Sequence, residues 1–278
     1  MNKKKDIVYQ KKDPIYQEIV ETCSNSIKDS NKKIYLEKIL KYLSDNISPM
    51  FIWEQNGISL LILQEIIEPY TSLQSLSKEM SDNLVVVLKI LHFLVADDEI
   101  KRAFVDARLH FYLFRYVALI DTGENYEILR IWVLKIFSVL VTDQYVQTNI
   151  KNTEIIPIIL KNIDLGSNEV KYLSVQTFYN LISGEDGLNY VTQTFDRFSA
   201  VNQVFNSISR LVAKNKLFNI LKLILSVYIR LCNKIHIRQS LNNRVPENVV
   251  NEDMKKIVEA DSCCNELYNN LLCLINKN

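Results

Sequence analysis

The chain is 278 residues long, 48% of them hydrophobic, with a formal net charge of +1 and only five glycines and five prolines. That apolar content suffices for a buried core, while so few turn-forming residues argue against β-rich folds and for helices joined by short polar connectors. Near-neutrality excludes a strong global pull toward nucleic acid or anionic lipid, so any such attraction has to come from local clustering.

Residues 1–13, with Lys3 to Lys5, read as a disordered basic tail, and a single helical domain is expected over 14–278. Helical periodicity runs over Pro14 to Cys23, Lys32 to Leu43, Ile58 to Ile67, Asn83 to Val95, Glu99 to Asp106, His110 to Ile120 and Tyr126 to Val141. It continues over Ile155 to Ile163, Asn168 to Ile182, Leu188 to Phe195, Val201 to Val212 and Leu217 to Leu231, with weaker segments to Ile275. Breakers fall between these runs: Pro69, Asp97-Asp98, Thr122-Gly123, Gly166-Ser167, Gly184 and Asn215. Pro157 fits a first turn, where its missing N–H costs nothing.

Long apolar helices starting near Asn83, Tyr126, Asn168 and Leu217 recur at about 40 to 50 residues, near the armadillo and HEAT period. A stacked array also requires helices with more than one apolar stripe. Asn168 to Ile182 has two, Val170, Leu173, Phe178, Leu181 and Tyr172, Val175, Tyr179, Ile182.

A search for chemistry returns no P-loop, no G-x-S-x-G elbow and no H-E-x-x-H, and His92, His110 and His236 are far apart. The acid pairs Asp97-Asp98 and Glu185-Asp186 sit at helix ends, where capping and solvation account for them. No catalytic residue, cofactor or metal site is expected. Cys23, Cys232, Cys263, Cys264 and Cys273 form an odd set without C-x-x-C spacing, which fits a reducing compartment rather than disulfides or zinc. No apolar stretch approaches the roughly 20 residues of a membrane span, and Met1 to Asp6 lacks a signal-peptide core. The expected location is the cytoplasm, with the nucleus as a second compartment and no membrane partner.

From Arg197 to Arg244 nine Lys and Arg occur, Arg210, Lys214, Lys216 and Lys222 among them, without one Asp or Glu. Two readings stand: solvated helix faces, or a strip that contacts single-stranded RNA and loses affinity with salt.

The run Gly187 to Ser199, in which Leu188, Val191 and Phe195 are expected on one helical face after a Glu185-Asp186-Gly187 turn, is unusually specific in wording. With Thr153 to Pro157 upstream and Tyr228 to Leu231 downstream, it resembles the "required for cell differentiation" family, the armadillo-repeat subunit of the CCR-NOT deadenylase complex. The likeness is collinear from Pro49-Met50 through Trp53, Gly57, Gln64 to Ile66, Arg102 to Phe104 and Leu129-Arg130 to Leu241 and Pro246, and so strongest over 49–246. It implies an all-α fold, an armadillo-like right-handed superhelix of stacked helical repeats, acting by binding alone.

The resemblance also implies partners. Glu54, Asn56, Leu60 and Ile67 match positions that dock on the large NOT scaffold subunit, although Glu54 and Asn56 replace a histidine and an aromatic. Ile128, Lys135, Tyr172 and Leu173 match a concave face that receives short helical peptides of mRNA regulators, Lys135 standing where the family has a small residue. Phe195, Arg197, His236 and Ser240 match surface pockets for tryptophan, with His236 in place of arginine. For Leu60, Ile67, Ile128 and Leu173, core packing is an equal reading. Self-association is left open. The expected role is a non-catalytic adaptor in mRNA deadenylation, decay and translational repression; the alternatives are a generic armadillo or HEAT peptide adaptor and a direct RNA-binding protein.

Overall fold

Helices begin where the sequence offers a short polar side chain to unpaired backbone N–H groups. In the computed structural model, which describes residues 14–29, 31–119, 123–151 and 153–276, Asp97 accepts from the N–H groups of Glu99 and Ile100, and Asp143 from those of Tyr145 and Val146. Ser77, Ser167, Thr194 and Asn251 cap four more helices in the same way. No strand occurs among the described residues. The basic tail 1–13, and Ile120 and Thr122, lie outside them.

The chain divides into two compact units, 1–136 and 137–278. In the first, α1 (Pro14–Lys28) pairs with α2 (Lys32–Ser44). Two three-helix repeats follow, α3 (Pro49–Trp53), α4 (Ile58–Ile67) and α5 (Lys78–Leu94), then α6 (Asp98–Asp106), α7 (Phe111–Ala118) and α8 (Glu124–Leu140). Here α2 packs on α5 and α4 on α7. The division between the units falls inside α8.

The second unit repeats the plan with α9 (Gln144–Ile150), α10 (Ile155–Leu165) and α11 (Asn168–Ser183), then α12 (Glu185–Thr192), α13 (Phe195–Lys214) and α14 (Phe218–Leu231). A last set, α15 (Ile235–Asn243), α16 (Glu252–Val258) and α17 (Ser262–Asn276), closes it. Third helices stack on third helices, α11 on α14 on α17, and second on second, α10 on α13 on α16. Along the chain the helices starting at Lys32, Lys78, Glu124, Asn168, Phe218 and Ser262 follow one another at 44 to 50 residues, the spacing expected of this repeat class.

Stacking buries both sides of the third helices. In α11 the stripe Val170, Leu173, Phe178, Leu181 is wholly buried, whereas of the second stripe only Val175 and Ile182 are; Tyr172 and Tyr179 reach the surface. Phe178 meets Phe205 of α13 at 5.2 Å between ring centroids, and Phe205 meets Tyr228 of α14 at 6.4 Å. The Tyr228 hydroxyl donates to Asn202 Oδ1 at 2.9 Å, so the one polar atom of this aromatic stack is satisfied.

Boundaries differ from expectation where caps override periodicity. α5 starts at Lys78 rather than near Asn83 because Ser77 caps it. Glu185 to Gly187 do not form a turn but the first turn of α12, and a Cβ on Gly187 would lie 2.0 Å from the Leu181 carbonyl oxygen, so only glycine permits this approach to α11. α12 stops at Thr192, and Thr194 starts a new helix at Phe195, which therefore does not continue the Leu188 and Val191 face. Residues Glu68–Ser75 form a 3-10 helix that periodicity did not suggest.

Candidate functional site

On α4 the buried side chains are Ile58, Leu61, Ile62 and Ile66, which leaves Leu60, Gln64 and Ile67, spaced by four and three, as the outward stripe. Leu60 is 67% exposed and Ile67 half-buried, so Leu60 does not belong to the core. Glu54 and Asn56 are exposed just before α4. Glu54 lines a cavity of about 510 Å³ with Tyr16, Val20, Glu21, Phe51 and Gln55. Gly57 turns the chain between α3 and α4 with φ +83°, a conformation that disfavours any side chain.

On α8, Ile128 and Lys135 are half-buried, one turn to either side of Trp132. On α11, Tyr172 is exposed and Leu173 buried. Leu173 therefore serves the core of the second unit, while Tyr172 offers a ring to solvent.

The residues matched to tryptophan pockets separate. Phe195, 71% exposed, and Ser240 line one cavity of about 390 Å³ with Asn202, Asn206, Arg244 and Pro246. His236 lines another of about 610 Å³ with Lys151, Asp186, Tyr190, Gln193 and Lys234, and its Nε2 lies 3.1 Å from the Thr192 carbonyl oxygen. Arg197 lines neither cavity. Its guanidinium lies 3.9 Å over the Tyr190 ring and donates to Gln193 Oε1 at 2.9 Å and to the Tyr190 carbonyl at 3.3 Å, a cation–π arrangement that holds α12 to α13.

The basic strip is partly neutralised by acids from outside it. Lys222 pairs with Asp261 at 3.0 Å, and Glu185 pairs with both Arg230 and Lys234 at 2.9 Å. Lys234 and Arg230 hold the Glu185 carboxyl below the ordinary carboxylate range. Arg230 also donates to the carbonyls of Ile182 and Ser183 at 2.9 Å, capping the end of α11. Arg210, Lys214 and Lys216 remain exposed and form no ion pair among the described residues.

Sequence reasoning missed Trp132 and its surroundings. The Lys135 Nζ lies 4.6 Å from its ring centroid and the Lys89 Nζ 5.4 Å, with the His92 ring edge-on at 5.9 Å. The Trp132 and Lys135 spacing is visible in the sequence; the approach of Lys89 and His92 from α5 is not. Among the described residues no group of three His, Cys, Asp or Glu could hold a metal ion, and no helix is long and apolar enough to cross a membrane.

Comparison with known proteins agrees with this picture. Residues 22–275 match the family described as "Cell differentiation family, Rcd1-like". The Cell differentiation protein rcd1 of Schizosaccharomyces pombe is 26% identical over 230 residues, 80% of this chain and 81% of that protein. Protein CAF40 of Saccharomyces cerevisiae is 25% identical over 231 residues, 81% of this chain and 62% of that protein. Among solved structures, a designed armadillo repeat protein in complex with the peptide (KR)4 superposes with a TM-score of 0.62 at 12% identity over 95% of this chain and all (100%) of its own. An engineered protein superposes at 0.64 and 12% identity over 93% of this chain and 96% of its own. The fold is thus all-α and of armadillo-repeat type.

Proposed function

The chain belongs to the Rcd1-like cell differentiation family, and from that premise we propose that it is a non-catalytic adaptor subunit of the CCR-NOT complex. It binds the large NOT scaffold subunit and short helical peptides of mRNA regulators, and so directs deadenylation, decay and translational repression. The observation that carries this reading is the family match over residues 22–275. An armadillo-type stack supports it physically, because such repeats provide extended surfaces for peptides and partner helices.

In this reading Leu60 and Ile67 are the apolar anchors for the scaffold, with Glu54 and Asn56 at the rim. The exposure of Leu60 favours that role, since a large aliphatic side chain left in water on a helix face is available to a partner. Ile128, Lys135, Tyr172 and Leu173 would serve regulator peptides, with Leu173 acting through packing. Phe195 and Ser240, which share one cavity, are the remaining candidates for an aromatic ligand.

The test is co-purification of the tagged protein from its own cells with mass spectrometry, comparing wild type with Leu60→Asp plus Ile67→Asp. Scaffold and deadenylase subunits should accompany wild type and be lost from a variant that keeps its helical circular dichroism. If they never accompany wild type, a generic peptide-binding adaptor becomes the better reading. A second reading, direct contact with single-stranded RNA, is favoured by one observation, the exposed and unpaired Arg210, Lys214 and Lys216.

A further inference from the structure

The chain contains one Asn-Gly pair, Asn56-Gly57. It lies between α3 and α4, where the Ile58 N–H donates to the Gln55 carbonyl at 3.2 Å and closes a four-residue turn with Asn56 and Gly57 at its centre. Gly57, at φ +83° and ψ −4°, has the conformation of the third residue of a type II turn. Both central residues are exposed. The Asn56 carboxamide has no hydrogen-bond partner among the described residues, and the Gly57 N–H donates to no backbone carbonyl. A Cβ on Gly57 would meet only the Ile27 side chain, and without one nothing on Gly57 itself screens its nitrogen. The peptide unit joining Asn56 to Gly57 can rotate without breaking the turn's hydrogen bond, because glycine takes either sign of φ at little cost.

We propose that Asn56 is a self-modifying site, at which the Gly57 backbone nitrogen attacks the Asn56 carboxamide carbon and converts the residue to aspartate and isoaspartate. The amide proton of Gly57 passes to solvent, the new N–C bond closes a succinimide ring, and the carboxamide nitrogen takes up a proton and leaves as ammonia. Water then opens the ring at either carbonyl. One opening gives aspartate; the other reroutes the main chain through the former side chain and gives isoaspartate. Asparagines inside helices lack this freedom. Asn25-Ser26 in α1 and Asn206-Ser207 in α13 also precede a small residue, but there the next N–H is held by the helix ladder. The consequence rests on the adaptor reading. Asn56 is exposed close to Glu54 and just before the Leu60 stripe of α4, so conversion adds a carboxylate there, and the isoaspartyl form adds a methylene to the chain entering α4. A carboxylate brought against a partner without a counter-charge costs binding energy, so the modified protein releases the scaffold as it ages.

The purified full-length protein is aged at neutral and at mildly alkaline pH, with a sample unfolded in guanidinium chloride as the reference for an unrestrained Asn-Gly pair. Isoelectric focusing should show a form one charge more acidic than the starting chain, whose formal net charge is +1. That form should accumulate faster at the higher pH, because the attacking nitrogen is the deprotonated amide. Asn56→Gln should not produce it, since the longer side chain closes its ring far more slowly. Peptide mapping with isoaspartyl methyltransferase should place the change at Asn56 and leave Asn25 and Asn206 intact. Asn56 unchanged in the folded protein while the unfolded sample is converted, or conversion spread evenly over the asparagines, overturns the proposal. The two charge forms of one aged sample, separated by ion exchange and checked by circular dichroism, are immobilised and exposed to lysate from the protein's own cells. The unmodified form should capture the NOT scaffold, and the acidic form should capture about tenfold less. Equal capture by the two forms overturns the release of the scaffold and leaves the adaptor reading standing. No capture by either form sinks the adaptor reading and the release with it, and the modification is decided by the peptide map.

Discussion

Replacing Gly184 by alanine probes how the second unit is held together. The backbone there, φ −77° and ψ 151°, is one any residue adopts, so the substitution strains nothing by itself. Its Cβ, however, would lie 1.9 Å from Gln147 Oε1. Gln147 is 3% exposed, and its Nε2 donates to the carbonyls of Val141 at 2.8 Å and Asn180 at 3.0 Å, tying the chain after α8 to the end of α11. The amide has to swing aside, and both hydrogen bonds go with it. At about 1 kcal/mol each, the expected loss is about 2 kcal/mol. In a Gln147→Ala background the clash has no object, so the same substitution should cost no more than about 0.5 kcal/mol and the double-mutant cycle should show about 2 kcal/mol of coupling. Urea denaturation by circular dichroism gives the energies, and hydrogen exchange over residues 141–191 locates them. Unchanged stability in Gly184→Ala, or an equal cost in both backgrounds, refutes the reasoning.

His110 predicts an acid-sensitive first unit. It is 2% exposed, neither ring nitrogen has a hydrogen-bond partner, and its ring lies 4.4 Å from that of Phe111. Burial, aided by Arg108, pushes its pKa from 6.5 down to about 4. The unfolded chain then binds the extra proton in that window, so stability is full above pH 6.5 and falls by up to about 3 kcal/mol as pH drops toward 4. Urea midpoints at pH 7 and 4.5 should show a smaller pH dependence in His110→Phe, and an unchanged dependence would refute this origin. Binding of RNA through the cluster Arg210, Lys214 and Lys216, which is exposed and forms no ion pair among the described residues, has a salt signature. The slope of log affinity for oligouridine against log salt should then be about −2, as for three phosphate contacts, and Lys214→Glu plus Lys216→Glu should abolish binding. A slope several times steeper would place the contact elsewhere.

How much of the molecule was legible in the sequence can be judged at particular residues. Asp97, Ser167 and Gly184 punctuate the helices as expected, because capping acts over two or three residues. Thr194 shows the limit. A cap there ended the run of Leu188 and Val191 before Phe195, although the apolar spacing continued through it. For Leu60 and Leu173 the sequence left core and surface equally open. The fold put Leu60 in solvent and Leu173 inside, and a helix with two apolar stripes cannot announce which one a neighbour will cover.

The sequence by itself determined the helical class, the repeat interval and the family, since these follow from apolar periodicity, local capping and residues kept in order along the chain. Tertiary structure alone decided which charges are free. Glu185 neutralises Arg230 from 45 residues away, Asp261 neutralises Lys222, and Lys89 comes over Trp132 from the preceding repeat. Such encounters depend on how successive repeats stack, and stacking leaves no mark in the few residues around any one of the partners.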